Sequence, residues 1–414
     1  MAVMSLMLIL SINCNKEVRL PTISTIAVSQ VTNNSAVSGG NITTDGGAAV
    51  AGRGLVWNTG SEPTLEVNTG FTTEGSGVGV FPSSITGLVP ITKYNVRAYA
   101  TNSAGTVYGK TMVFTTLGDA PVTITQPATN ITEAAATLNA VVNANNVPTV
   151  VTFEYGTTQA YRNSIAAIQS EVSGDISTDV SAEISGLSQG TLYHFRIKAV
   201  SSLGTFYSGD LSFISLPADK DGNVYNYAII GTQVWMRENL KTTVFNDGTP
   251  IPLVTDSIEW NGLYDPAYCW YNNDAGTYKD TYGALYNWFT VNTGKLCPAG
   301  WHEPFDADWA MLTTYLGGVS VSAVKLKETG TDHWPVPNTE ATNESGFTAL
   351  PGGSRIITGY GYGFRGIGMD GNWWSNSNRG SIASISGTTY SFGVLDGGAF
   401  GKHFGLSVRC LMDN

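Results

Sequence analysis

The side chains in this sequence that could form disulfides or bind zinc are four cysteines and four histidines. Cys14 lies near the start, whereas Cys269, Cys297 and Cys410 lie in the second half. Three cysteines after Cys14 predict one disulfide and one free thiol in an exported chain. The residues alone leave the pairing open, because Cys269 could pair with Cys297 or with Cys410. Three reduced thiols remain the alternative. None of the cysteines forms a CxxC pair and the histidines are scattered, so the spacing of zinc ligands is absent.

Carboxylates that could support hydrolysis occur at Glu303, Asp306 and Asp308, but a helix start accounts for two of them. The second half of the chain has neither a Gly-x-Ser-x-Gly nucleophile motif nor a His-Glu-x-x-His zinc motif. We therefore expect no catalytic residues and no enzymatic activity.

Calcium is the metal whose oxygen ligands this sequence could supply. Asp219, Asp221 and Asn223 alternate as in a calcium loop, but no bidentate glutamate follows at the required distance. Asp370 and Asn372 could also contribute oxygens. We expect no cofactor and no metal site, with calcium as the open alternative.

Aromatic residues that could stack on sugar rings are concentrated near the end, and nine of the ten tryptophans lie in the last 200 residues. Most of them are expected to pack in the core or clamp loops. Trp373 and Trp374 are consecutive, so on a strand they point to opposite faces, and we expect one to be exposed or nearly so. The candidate ligand-binding residues are Tyr360, Tyr362, Asp370, Asn372, Trp373 and Trp374.

The overall composition indicates several domains and excludes one class of partner. A chain of 414 residues has room for two to four domains. Its net charge is −11 and no stretch is rich in lysine and arginine, so we expect no nucleic-acid partner. The concentration of tryptophan changes sharply near residue 217, which indicates a domain boundary there.

The N-terminal residues 2–12 carry no charge. The run is too short to span a bilayer but fits the apolar region of a signal peptide. It ends at Cys14 and resembles a bacterial lipoprotein signal, in which that cysteine becomes the acylated N-terminus. Residues 1–18 are thus expected to be a signal peptide with a lipid anchor, which would place the protein in the cell envelope, at the outer membrane or cell surface. A plain secreted protein or an ordinary buried cysteine is the alternative.

Residues 19–118 and 119–216 form an internal duplication. Tyr94 and Tyr193 are 99 residues apart, and so are Phe114 and Phe213, within otherwise similar segments. Each copy alternates apolar and polar residues with the period of a strand, which predicts a β-sandwich. The pattern resembles fibronectin type III and bacterial immunoglobulin-like domains, and the resemblance implies that the Tyr94 and Tyr193 hydroxyls bond to nearby backbone. Short joints containing proline predict a semi-rigid stalk.

The sequence after residue 217 predicts three helices among short strands. Residues 305–318 have Trp309, Leu312 and Leu316 on one helix face, with Asp306 as a possible N-cap. Shorter helices are predicted at residues 282–289 and 319–328. Strands are predicted at residues 346–350, 371–375, 388–395 and 405–411.

A series of ordered motifs carries a family resemblance: DKDGNVY, IGTQVWMRENL, YCWYNND, YGALYNW, LCPAGWHEP, LKETG, ATNESGFTALPGG, NWWS and GLSVRCL. Residues 217–414 resemble the fibrobacter-type major paralogous (FISUMP) domain, which occurs in exported bacterial surface proteins, often behind immunoglobulin-like repeats. The resemblance implies a C-type-lectin-like fold in which the first and last strands are neighbours. It thereby implies a disulfide between Cys297 and Cys410, with Cys269 free. Formylglycine-generating enzymes share this broad fold but need two cysteines near the C-terminal end, where this chain has only Cys410.

The sequence therefore predicts two all-β sandwich repeats followed by an α+β C-type-lectin-like domain. We expect an exported, lipid-anchored surface protein that binds a surface glycan or a protein ligand without catalysis. A structural surface or fibre subunit is the second hypothesis, and a carbohydrate-active or formylglycine-generating-like enzyme is the third.

Overall fold

The computed structural model describes residues 17–60, 62–338, 340–358 and 361–413. Cys14 and most of the predicted signal peptide lie outside the described residues. The multidomain architecture is confirmed: two all-β sandwiches precede a mixed α+β domain, called here the head (residues 219–413). No helix in the described part of the chain is long and apolar enough to cross a membrane.

The first sandwich consists of two antiparallel sheets, β1–β2–β5 and β4–β3–β6–β7, and β8 also pairs with β6. Its strands are β1 (Thr22–Ser29), β2 (Ser35–Thr44), β3 (Gly52–Asn58), β4 (Gly70–Phe71), β5 (Gly79–Thr86), β6 (Lys93–Asn102), β7 (Gly105–Tyr108) and β8 (Met112–Thr115). Alternate residues of β6 face the core, among them the buried Tyr94, Val96 and Ala98. This alternation of buried and exposed positions confirms the predicted strand period.

The second sandwich repeats this arrangement strand for strand, with sheets β13–β10–β9 and β12–β11–β14–β15, and β16 on β14. Its strands are β9 (Val122–Thr129), β10 (Ala135–Asn143), β11 (Thr149–Gly156), β12 (Asn163–Val172), β13 (Thr178–Ser185), β14 (Leu192–Ser201), β15 (Gly204–Tyr207) and β16 (Leu211–Ile214). Each of these sheets is formed within one repeat.

The predicted tyrosine corners are confirmed in both sandwiches. The Tyr94 hydroxyl accepts a hydrogen bond from the backbone N–H of Val89 at 3.0 Å. The Tyr193 hydroxyl accepts one from Ser188 at 2.9 Å. Each ring also stacks on the phenylalanine at the equivalent position of its own repeat. A buried ring with a satisfied hydroxyl fixes the turn that precedes β6 or β14.

Both joints between domains are held by side-chain hydrogen bonds. At the first, Asn33 donates to the Asp119 carboxylate and Asn145 Nδ2 donates to the Ala120 carbonyl oxygen at 2.6 Å. At the second, Gln189 Nε2 donates to the Ala218 carbonyl oxygen at 2.7 Å. These contacts support the prediction that the joints are stiff.

The head contains short strands and helices around a core rich in aromatic residues. Its strands are β17 (Tyr227–Ile230), β18 (Gln233–Met236), β19 (Tyr268–Cys269), β20 (Leu285–Tyr286), β21 (Trp301–His302), β22 (Gly352–Thr358), β23 (Gly361–Ile367), β24 (Asp370–Arg379), β25 (Ile382–Thr389), β26 (Asp396–Gly401) and β27 (Leu411–Met412). Its helices are α1 (Ser257–Gly262), α2 (Ala275–Tyr282), α3 (Trp288–Val291), α4 (Asp306–Tyr315) and α5 (Val319–Leu326), with a 3-10 helix at Tyr271–Asn273. The sheets are β17–β18–β27–β21, β19–β20, β22–β23 and β24–β25–β26.

The disulfide is confirmed: Cys297 and Cys410 are bonded, with their Cα atoms 5.9 Å apart. The first hairpin of the head and its last strand are neighbours, since β18 pairs with β27. Cys269 is free and buried, and its burial raises the pKa of the thiol to about 12.

Two helix predictions are confirmed and a third is wrong. Helices α4 and α5 lie where predicted, and Trp309, Leu312 and Leu316 are buried. The N-cap of α4 is Phe305, and its N–H donates to the Asp308 carboxylate at 2.8 Å, so the prediction that Asp306 caps the helix is wrong. Residues 282–289 are not one helix, because α2 ends before Gly283, whose φ of 75° is left-handed.

The strand prediction for residues 388–395 is largely wrong. Strand β25 ends at Thr389 and the next strand begins at Asp396, so the segment between them is a loop. The Lys327 ammonium donates to the carbonyl oxygens of Thr389 and Phe392, which occupies acceptors that a sheet partner would otherwise use. The predicted strand at residues 371–375 is confirmed within β24.

Candidate functional site

An open groove lies on one face of the sheet β24–β25–β26 and has a volume of about 510 Å³. Asn372 pairs with Gly387, which pairs with Asp396; in the next row on that face Trp374 pairs with Ile385, which pairs with Gly398. Paired residues, and residues two apart on one strand, share a face of an antiparallel sheet. The groove face therefore combines carboxylate, amide and apolar side chains: Asp370, Asn372, Ile385, Thr389, Asp396 and Phe400.

Two glycines form the floor of the groove. A Cβ atom at Gly387 would lie 2.5 Å from Asn372 Oδ1, so the amide oxygen lies directly over this glycine. A Cβ atom at Gly398 would lie 3.4 Å from the nearest atom of Ile385, which is ordinary van der Waals contact. The close approach of the Asn372 side chain thus requires glycine at position 387. At position 398 a larger residue would fit, and the space there is open only because glycine has no side chain.

The loop that follows β25 forms one wall of the groove, and we call residues 390–395 the wall loop. Phe392 in this loop is 62% exposed and Val394 is 37% exposed. Lys327 on the far side of the wall donates from Nζ to the carbonyl oxygens of Thr389 at 3.4 Å and Phe392 at 3.2 Å. Burial lowers the pKa of Lys327. The lysine therefore fixes the wall from behind.

Of the predicted ligand-binding residues, the structure places Asp370 and Asn372 in the groove. Burial raises the pKa of the Asp370 carboxyl, and the positive charge of Arg365 partly opposes that shift. Tyr360 lies outside the described residues, and so does the side chain of Tyr362.

The expectation that Trp373 or Trp374 is exposed is wrong, although the two rings do point to opposite faces. Trp373 is 1% exposed and donates from Nε1 to Asn239 Oδ1 at 2.8 Å. Trp374 is 0% exposed and donates from Nε1 to the Tyr286 carbonyl oxygen at 2.8 Å. At this end of the sheet both faces are covered, one by the cluster around Trp309 and the other by the core around Tyr286. Neither ring can stack on a ligand in this conformation.

The carboxylates considered for calcium accept hydrogen bonds from the protein itself. Asp219 accepts from the backbone N–H groups of Asp221 and Asn223 and from the Tyr225 hydroxyl. Asp221 accepts from Thr243. Within the described ranges, no group of three or more histidine, cysteine, aspartate or glutamate side chains could hold a metal ion.

The three carboxylates considered for hydrolysis have separate structural roles, and that of Asp308 is to accept from the Phe305 N–H at the start of α4. Glu303 is buried, which raises its pKa, and its Oε1 accepts from the backbone N–H groups of Leu296 and Cys297. Asp306 accepts from the serines at 375 and 384 and from Arg379.

Residues 186–190 in the second sandwich do match the Gly-x-Ser-x-Gly pattern, but they connect two strands, whereas a nucleophile elbow connects a strand to a helix.

Two buried arginines that sequence reasoning missed hold loops of the head together. Arg409 donates to the backbone carbonyl oxygens of Phe347 and Thr348 and to Asn239 Oδ1, and burial lowers its pKa to about 9. Arg355 donates to three successive carbonyl oxygens, those of residues 254, 255 and 256, and its guanidinium lies 4.4 Å from the Trp260 ring centroid. The positive charges and aromatic rings around Arg355 and Arg409 are thus structural.

A surface aromatic cluster was also missed by sequence reasoning. Tyr264, Phe289 and His403 come from three separate segments, with ring centroids 4.8 to 5.6 Å apart. Tyr264 is 75% exposed. No motif in the sequence signals this cluster, because the three residues meet only in the folded chain.

The described architecture is a modular chain with two β-sandwiches and a mixed α+β head. Residues 229–412 match the family described as the Fibrobacter succinogenes major domain, as the ordered motifs of this part of the chain predicted. No curated protein matches the chain.

Two solved structures are similar to parts of this chain. The sensor domain of the anti-sigma factor RsgI4 of Pseudobacteroides cellulosolvens is 22% identical over 23% of this chain and 95% of that chain, with a TM-score of 0.20. The FN1–FN3 domains of chicken CNTN1 are 16% identical over 48% of this chain and 69% of that chain, also with a TM-score of 0.20.

Proposed function

We propose that this chain is an exported bacterial surface protein that binds a glycan through the groove of its head, without catalysis. The observation that carries the proposal is the groove on β24–β25–β26, where Gly398 leaves open space among carboxylates, an amide and apolar side chains. Its volume of about 510 Å³ lies within the usual range of small-molecule sites, about 300 to 1,000 Å³. Carboxylate and amide groups can hydrogen-bond sugar hydroxyls, and aromatic rings can pack on the apolar faces of sugars.

The spacing of the two groove carboxylates favours binding over hydrolysis. Asp370 and Asp396 lie two strands apart and in different rows, so ordinary strand spacings separate their Cα atoms by roughly 12 Å. Side chains on one face of a sheet stand roughly parallel, so the carboxyl groups keep much of that separation. Glycosidases that act with two carboxylates hold them about 5 to 10 Å apart.

The proposal includes a lipid anchor on Cys14, from which the two sandwiches hold the head away from the membrane. A Cys14→Ala chain expressed in a bacterial host is expected to leave the membrane fraction and accumulate as uncleaved precursor. Unchanged partition into membranes would remove the anchor from the proposal, while leaving ligand binding by the head untouched.

Binding is tested with a glycan array and a matched pair of glycine variants, in the chain from Asn15 onward. Gly398→Val fills the groove, and its Cβ has room beside Ile385. Gly397→Val adds the same side chain on the opposite face, where a Cβ has no neighbour within 4 Å. The parent chain and Gly397→Val are expected to retain the same glycans, and Gly398→Val to lose them. An array that retains nothing, or equal binding by both variants, would contradict the proposal.

A further inference from the structure

The side chains that line the groove carry negative charge and no positive charge. Among the described lining residues, two are carboxylates, Asp370 and Asp396, and none is a lysine, arginine or histidine. Two cations lie nearby. Burial raises the pKa of Asp370, and the positive charge of the exposed Arg365 partly opposes that shift. Lys327 directs its ammonium to the carbonyl oxygens behind the wall loop. Neither cation is among the described residues that line the groove.

The row Asn372–Gly387–Asp396 has the shape of a slot across the sheet. Gly387 has no side chain, and Asn372 leans over it, so the amide lies between β24 and the carboxylate on β26. The Cα atoms at the two ends of this row are roughly 10 Å apart for ordinary strand spacing. A ligand group that lies on the β26 side of this amide would therefore have the amide on one side and the carboxylate on the other.

Aromatic rings border the same slot. Phe392 in the wall loop is 62% exposed, and the half-buried Phe400 packs against Phe404 with ring centroids 5.3 Å apart. An ammonium group is attracted both to carboxylates and to the faces of aromatic rings. An acidic glycan would meet like charge here, and the chain as a whole carries a net charge of −11.

We infer that the groove binds a glycan with free amino groups, that is, a polymer of hexosamine units lacking N-acetyl groups. The inference rests on the proposed function and specifies the ligand of the same site. Asp396 and Asp370 pair with the ammonium groups, Asn372 binds hydroxyl groups, and Phe392 packs on a sugar face. An N-acetyl group removes the positive charge and adds bulk, so the acetylated counterpart binds more weakly.

The test compares two probes that differ at the amino group: a glucosamine hexasaccharide and an N-acetylglucosamine hexasaccharide. Affinities are measured by calorimetry at pH 6 and moderate salt, with the chain from Asn15 onward. The amino probe is expected to bind at least tenfold more tightly. Asp396→Asn is expected to remove most of that preference, whereas Asp280→Asn, which removes a carboxylate exposed over 89% of its side chain, leaves it intact.

Gly398→Val and Gly397→Val separate groove binding from general attraction of a polycation to an acidic protein. The preference is expected to disappear in Gly398→Val and to persist in Gly397→Val. A preference that survives in Gly398→Val would overturn the inference, since the charge of the whole chain would then explain it. Equal affinity for the two probes, lost in Gly398→Val, would overturn the inference but support the proposed function. If neither probe binds, the inference fails; the proposed function fails with it only if the array also retains nothing.

Discussion

Buried positive charges hold the loops of the head in place. Arg355, Arg409 and Lys327 are each no more than 1% exposed, and the hydrogen bonds seen in the structure lead mainly to backbone carbonyl oxygens. A buried charge is costly unless several acceptors surround it, and carbonyl oxygens of irregular loops meet that need. Each cation therefore fixes a segment that has few backbone partners of its own.

Replacing Lys327 by methionine is expected to loosen the wall loop without unfolding the head. Methionine keeps the apolar stem, and loss of a buried charge offsets the lost hydrogen bonds in global stability. Hydrogen exchange of the wall-loop amides is expected to rise about tenfold, or about 1.4 kcal/mol of local opening free energy. Lys325→Met is the control, because Lys325 lies in α5 two residues before Lys327 and makes a partly exposed ion pair with Glu344. Equal exchange in both variants would show that Lys327 does not hold the loop.

Prediction at the residue level succeeded for the disulfide and the tyrosine corners, and failed for the exposure of Trp373 or Trp374. That Asp370 and Asn372 bind a ligand stays a prediction, although both line the groove. Strand alternation correctly places the two rings on opposite faces, but it cannot show that both faces are covered. That coverage depends on α4 and on β20, which pack onto β24 from distant parts of the sequence. The roles of the buried arginines were not predicted for a similar reason. Their acceptors are mainly backbone atoms, so no pattern of residue types in the sequence indicates them.

At the level of elements, the two sandwiches share their strand order but differ in one polar cluster. In the second sandwich Asp210 accepts from His194 Nδ1 at 2.8 Å, from the Tyr161 hydroxyl at 2.8 Å and from Gln159 Nε2 at 3.0 Å. Burial alone would raise the pKa of Asp210, but these hydrogen bonds together lower it by more than burial raises it. The pKa of Asp210 therefore lies below its ordinary value. The equivalent position of the first sandwich is Thr111, which does not ionise.

The cluster predicts acid sensitivity of the second sandwich. Because the folded-state pKa of Asp210 is lowered, its stabilising effect is present above the unfolded pKa of about 4 and is lost as pH falls through the folded value. Asp210→Asn is expected to cost about 1 kcal/mol at pH 6, and this cost is expected to shrink progressively as the pH falls below about 4. Urea unfolding read on peptides of the second sandwich measures this difference. Asp175→Asn, at an exposed turn, is the control, and a cost for Asp210→Asn that does not change with pH would contradict the prediction.

The elements of the head were predictable where local signals were strong. Helices α4 and α5 follow from apolar spacing and paired glycines. The segment 388–395 reads as a strand because it is apolar, yet Lys327 binds its carbonyl oxygens and turns it into the wall of the groove. The groove itself could not be predicted, because it depends on the register that aligns Gly387 with Asn372 and Asp396.

At the scale of the whole molecule, the joint between the second sandwich and the head is a packed contact. The indole nitrogen of Trp301 lies so close to Gly190 that a Cβ there would be 2.4 Å from it. Gly190 has a φ of 57°, and the equivalent residue at the first joint is Ile91, with a φ of 50°. The same left-handed turn thus occurs at both joints, and the residue there is glycine at the joint where the next domain brings Trp301 close.

Gly190→Ala is expected to open this joint while leaving both domains folded. The added methyl group collides with Trp301, at a cost of about 1 to 3 kcal/mol beyond the strain of a left-handed alanine. Gly186→Ala is the matched control, since its φ is 72° and a Cβ there has no neighbour within 4 Å. Limited proteolysis with mass spectrometry is expected to show faster cleavage of residues 214–221 in Gly190→Ala alone. Equal cleavage in the two variants would mean that the joint is not held by this contact.

The measurement that tests the central claim most directly is hydrogen exchange of the whole chain with and without a glycan retained by the array. Ligand binding in the groove predicts protection of peptides that cover residues 370–372 and 385–400, with little change in either sandwich. Protection centred instead on the surface aromatic cluster of Tyr264, Phe289 and His403, or on the sandwiches, with the groove peptides unchanged, would contradict the account.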